Sequence, residues 1–92
     1  MKKAMARHIL LKDKAQAEGV KLRLEKGEDF AKLAKKFSTC PSKKNGGDLG
    51  EISRGQLVKV VENIVFKKPL KVIHGPIKSQ FGFHIIQVYY RD

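Results

Sequence analysis

The chain has 92 residues, 41% apolar and 32% charged, with 20 Lys and Arg against nine Asp and Glu, a formal net charge of +11 and a single cysteine. That size supports one modest hydrophobic core and not two, and the apolar fraction excludes a disordered polypeptide. One cysteine excludes an internal disulfide framework, so a reducing, cytoplasmic setting is expected.

Lys2-Lys3 looks like the opening of a signal peptide, but Arg7 and His8 interrupt the apolar stretch before it reaches leader length. No run approaches the roughly 20 apolar residues that span a bilayer, so no membrane partner is expected. Ala6, His8 and Leu10 alternate with Arg7, Ile9 and Leu11, which predicts a first strand covered on both faces. From about Lys14 to Lys26 the spacing of Ala17, Val20 and Leu24 is helical, with Gly27 as a C-terminal cap. Asp29 caps a second helix whose Phe30, Leu33, Ala34 and Phe37 form one apolar stripe.

Ser38 to Asp48 holds Cys40-Pro41-Ser42 and Asn45-Gly46-Gly47, a loop with a sharp glycine turn. No Gly-Lys-Ser/Thr follows, which excludes a phosphate-binding P-loop. A short strand is expected over Leu49 to Ile52 and a short helix over Gln56 to Phe66. A strand over Val72 to Lys78 is interrupted by Gly75-Pro76, and Phe83 to Tyr90 is strongly β-prone. The order β-α-α-β-α-β-β gives an α+β domain with a mixed or antiparallel sheet, occupying the whole of residues 1–92.

Chemistry-bearing residues are few. His8 and His84 each open a strand-like apolar run, and with the lone Cys40 they would form a small semi-dry polar cluster able to act on a peptide group. A cysteine-protease nucleophile would need a thiolate paired with imidazole. Zinc is disfavoured because His8, Cys40, His74 and His84 lack the close pairing of common metal motifs.

Taken in order, His8-Ile9-Leu10, Phe30-Ala31-Lys32-Leu33-Ala34 with Ser38, Gly46-Gly47-Asp48-Leu49-Gly50, Gly55-Gln56 and Phe81-Gly82-Phe83-His84-Ile85-Ile86 resemble the parvulin family of peptidyl-prolyl cis/trans isomerases. The likeness covers almost the whole chain and is closest in form to small stand-alone bacterial parvulins. It implies an FKBP-like four-stranded sheet wrapped by helices, a proline pocket and no cofactor or metal. By resemblance, His8 and His84 pair at the pocket floor, Cys40 takes a position held by cysteine or aspartate among relatives, and Ser38 supports their hydrogen bonds. Ser79 is a weaker candidate for that support. Leu49, Leu57 and Val61 would line the pocket, with Phe81 as a further wall. Parvulins directed at phosphoserine-proline carry a long basic insert after the first strand, whereas here Lys12-Asp13-Lys14 leads almost directly into a helix.

The implied substrates are proline-containing peptides and unfolded polypeptides, acted on by a monomer. Leu57 stands where the family usually has methionine, and Val61 where it usually has phenylalanine. The alternative is therefore a proline-peptide binding or chaperone module with weak or no turnover. The lysines are dispersed, so a solvated coat is favoured over a nucleic acid or acidic-protein site, although the positive field would attract such polyanions weakly.

Overall fold

The computed structural model describes residues 3–92; Lys2, weighed above as part of a leader, lies outside them. The elements run β1 (Ala4–Leu11), α1 (Lys14–Glu25), α2 (Phe30–Phe37), a 3-10 turn (Pro41–Asn45), β2 (Asp48–Ile52), α3 (Lys59–Lys67), β3 (Ile73–Ser79) and β4 (Gly82–Arg91). The four strands form one sheet in the order β2-β1-β4-β3, antiparallel at every pairing, which resolves the mixed-or-antiparallel expectation.

Local chemistry fixes the helix ends. The Asp13 carboxylate accepts from the Ala15 N–H and the Asp29 carboxylate from the Lys32 N–H, each satisfying a donor that the first helical turn leaves free. Arg91 Nη1 donates to the carbonyls of Val65 and Lys68 and closes the far end of α3. That helix starts at Lys59, three residues later than the apolar pattern predicts. Gly55 has φ +91, the Gln56 carboxamide oxygen accepts from Ser53 N–H, and Glu62 accepts from Gly55 N–H, so residues 53–56 close on themselves as a turn.

Both faces of the sheet are covered, by different helices. On one face Ile9, Leu11 and Ile85 pack with Ala17, Val20 and Leu24 of α1 and with Phe30, Leu33 and Ala34 of α2. On the other, Ala4, Ala6, Ile86 and Val88 lie with Ile52 under Val61, Ile64, Val65 and Phe66 of α3. Each fully buried Val or Ile in these cores contributes about 1.5–3 kcal/mol of transfer free energy.

The second face is incompletely roofed. Nine residues of α3 span about 14 Å, whereas the eight residues of β1 extend about 26 Å. The small Ala4 and Ala6 let α3 settle on one end of the sheet, and His8, Leu10 and His84 continue the same face beyond it.

Candidate active site

The site begins with strand register. In the β1–β4 ladder His8 lies opposite Ile86 and Leu10 opposite His84, so the two histidines are diagonal neighbours on one face. Their Nδ1 atoms are 3.4 Å apart, with ring planes 19° apart and centroids at 5.5 Å, so the pair meets through its Nδ1 edges. His84 Nε2 lies 2.6 Å from the Ser79 hydroxyl, which also accepts from Phe81 N–H. His8 Nε2 is buried and has no hydrogen-bond partner among the described residues.

Both imidazoles are held neutral. Burial, and secondarily the neighbouring His84, lower the His8 pKa to about 4, and burial lowers that of His84. An Nδ1···Nδ1 bond between neutral rings needs the proton on one of them. If His8 donates, His84 carries its proton on Nε2 and gives it to Ser79, leaving His8 Nε2 an acceptor. If His84 donates, Ser79 gives its proton to His84 and His8 Nε2 becomes a donor.

Beside this pair is a hollow of about 570 Å³ lined by His8, Leu10, Thr39, Cys40, Pro41, Gln56, Leu57, Val58, Val61, Phe81 and His84. Its lining is apolar over Leu57, Val58 and Val61, and polar at the histidines, Cys40, Thr39 and Gln56. No lysine or arginine lines it. The extended backbone of Val58 immediately before α3 allows Leu57 and Val58 to face the hollow instead of winding into the helix.

The loop after α2 is tied to β1. Ser38 Oγ accepts from the N–H groups of Leu10 and Cys40, and Thr39 N–H donates to the Leu10 carbonyl. The glycine turn fastens the other end: His8 N–H donates to the Gly47 carbonyl at 2.9 Å. Gly47 has φ +85, and a Cβ there would sit 2.4 Å from the His8 carbonyl oxygen, so the turn can press this closely only without a side chain.

Of the residues expected from sequence, His8, His84, Cys40, Leu57, Val61 and Phe81 line one hollow. Two expectations are corrected. Leu49 does not line it: two β2 residues, Leu49 and Gly50, face the single Ala6 of β1 at a register shift, and Leu49 packs partly buried against the core beneath α3. Ser38 bonds neither histidine; its hydroxyl holds backbone, and Ser79 makes the side-chain bond to His84. His74 Nε2 bonds the Pro69 carbonyl, away from the pair. Sequence reasoning missed Leu10, Thr39, Pro41, Gln56 and Val58 as lining. For Leu10 the period-two relation to His8 was the available signal.

Among the described residues no group of three or more His, Cys, Asp or Glu is placed to hold a metal ion, and no helix is long and apolar enough to cross a membrane.

Comparison with known proteins agrees with this geometry. The family model described as Rotamase, PPIC-type PPIASE domain, matches residues 6–89. The Foldase protein PrsA of Geobacillus sp. (strain WCH70) is 48% identical over 87 residues, which cover 94% of this chain and 32% of that protein. The crystal structure of the peptidylprolyl isomerase PrsA from Bacillus anthracis superposes with a TM-score of 0.95 at 34% identity, over 99% of this chain and 42% of that one. The solution structure of NmPin, the parvulin of Nitrosopumilus maritimus, gives 0.87 at 37% identity and 98% coverage of both chains. The chain thus spans about a third of the curated foldase relatives and nearly all of a small parvulin. Diagonal histidines over an apolar hollow, a family model covering most of the chain and an end-to-end structural match agree: this chain belongs to the parvulin family of PPIC-type peptidyl-prolyl cis/trans isomerase domains.

Proposed function

We propose that this domain accelerates rotation about X-Pro peptide bonds in unfolded and partly folded polypeptides, by a non-covalent mechanism in the hollow beside His8 and His84. The name foldase carried by the PrsA relatives supports placing the reaction in protein folding. The observation that carries the reading is the junction of an apolar wall, formed by Leu57, Val61 and Phe81, with a neutral imidazole pair and Cys40.

An X-Pro bond favours trans by only about 0.5–1 kcal/mol yet crosses a barrier of roughly 18–20 kcal/mol, because twisting breaks amide resonance. The site therefore needs to bind the twisted amide better than either planar form. The pyrrolidine ring seats against Leu57, Val61 and Phe81. The preceding carbonyl swings past the polar end, where Cys40 and Thr39 meet it beside the neutral histidine pair in a partly desolvated setting. The linked proton positions of His8, His84 and Ser79 let the pair reorient its hydrogen bonds without creating charge. A thousandfold acceleration corresponds to roughly 4 kcal/mol, within reach of one or two such bonds in a low-dielectric site.

The uncharged lining supports an apolar residue before proline. β1 passes to α1 through Lys12 and Asp13 alone, leaving no room for a basic phosphate-binding insert. The test is cis/trans exchange of a short X-Pro peptide followed by NMR or a protease-coupled assay. Faster exchange than in buffer is expected, and no acceleration at high protein concentration would sink the proposal.

A further inference from the structure

Phe81 and Val60 are apolar side chains left 57% and 41% exposed. Phe81 borders the prolyl hollow. Val60 borders a second, shallower one of about 340 Å³, lined also by Val58, Lys59, Ser79 and Gln80. Val58 lines both, so the second hollow continues the first across one side chain. The other strongly exposed apolar residues, Leu22, Leu70, Val72 and Tyr90, border neither. Ser79, a wall of the second hollow, is the residue whose hydroxyl meets His84, and it pairs with Gly82 across the β3–β4 turn.

We propose that the substrate chain continues from the prolyl hollow across Val58 into this second hollow, where Val58 and Val60 receive an apolar side chain on one flank of the proline. The inference rests on the isomerase reading above and extends it to a specificity-determining residue, Val60. Val58 and Val60 give the hollow an aliphatic side, which suits a branched hydrocarbon. Lys59, Ser79 and Gln80, which also line it, offer polar partners to the backbone that carries the side chain. Covering Val60 with substrate removes apolar surface from water, so the gain falls mainly on binding and not on turnover.

The experiment uses the whole chain and two pairs of X-Pro peptides, one pair with Gly or Leu two places before proline and one with Gly or Leu directly after it. In one pair leucine is expected to lower KM about fivefold at similar kcat, and Val60→Ser to make the two members of that pair alike. Activity on all four peptides with no leucine preference, or a preference that survives Val60→Ser, overturns the groove and leaves the isomerase reading intact. Acceleration of none of the four overturns both. Should Val60→Ser lose the circular dichroism of the fold, wild-type amide shifts decide. Val60 and Gln80 must respond to the preferred leucine peptide more than to its glycine partner, and equal responses overturn the proposal.

Discussion

His8 is 6% exposed and His84 3%, and both are uncharged at neutral pH because water cannot reach them to solvate an imidazolium. A buried neutral histidine makes stability depend on pH in a fixed direction. Between about 4, the His8 value in the fold, and 6.5, the ordinary value, the unfolded chain binds the proton and the folded chain does not. Stability is therefore complete above pH 6.5 and falls as pH drops through that window, by roughly 3 kcal/mol at most from His8, with His84 acting in the same direction. Urea titrations at pH 7.5 and pH 4.5 should show this loss, and His8→Phe should show a smaller one. An equal loss in the variant would mean that other groups set the acid sensitivity. At the same scale, Val61 borders the hollow with a side chain smaller than phenylalanine, which leaves the hollow roomier and offers less apolar contact to a prolyl ring.

At the scale of elements, the glycine turn and α3 set the shape of the site. Gly46 and Gly47 both have positive φ, and side chains there would collide with Ala31 of α2 and with the His8 carbonyl. The turn thus packs α2, β1 and β2 together at the residue that carries the imidazole. Gly47→Ala is expected to cost on the order of 2–3 kcal/mol from strain and displaced backbone, read as a lower urea midpoint. It should also reduce isomerisation, since the His8 N–H bond to Gly47 is lost or lengthened. A variant of unchanged stability and activity would show that the turn does not position His8. The second determinant is where α3 begins. The apolar pattern predicts a helix from Gln56, but the turn bonds of Gln56 and Glu62 delay it to Lys59 and leave Leu57 and Val58 lining the hollow. Those bonds join side chains to backbone, a contribution that periodicity does not register.

Over the whole molecule, the net charge of +11 lies within principal extents of 35 × 27 × 23 Å. The ion pairs among the described residues, Lys3–Glu51, Arg23–Glu28 and Arg54–Glu62, each have at least one exposed partner and contribute little attraction against this excess. At about 10 mM salt the Debye length is roughly 30 Å, comparable to the molecule, and at about 150 mM it is roughly 8 Å. Self-repulsion is thus felt across the fold at low salt and screened at physiological salt. Melting followed by circular dichroism should rise by a few degrees between those conditions; a flat or falling Tm would show that local pairs outweigh the net charge.

The sequence by itself determined the first strand from Ala6 to Leu11, the two helices that follow with the Asp29 cap of the second, the glycine turn and the identity of the two histidines. Each of these is written in short-range chemistry: a period of two, an acid before an apolar stripe, a glycine where φ turns positive. Only the tertiary structure decided which residues meet. His8 and His84 are 76 positions apart, and their contact depends on the β1–β4 register, whereas Ser79 rather than Ser38 is the hydroxyl beside His84 because the β3–β4 pairing brings it there. Leu49 left the expected pocket because a local register shift in β2 sets where its side chain packs. Register and bulges are settled by the summed packing of two sheet faces, and no single segment carries that sum.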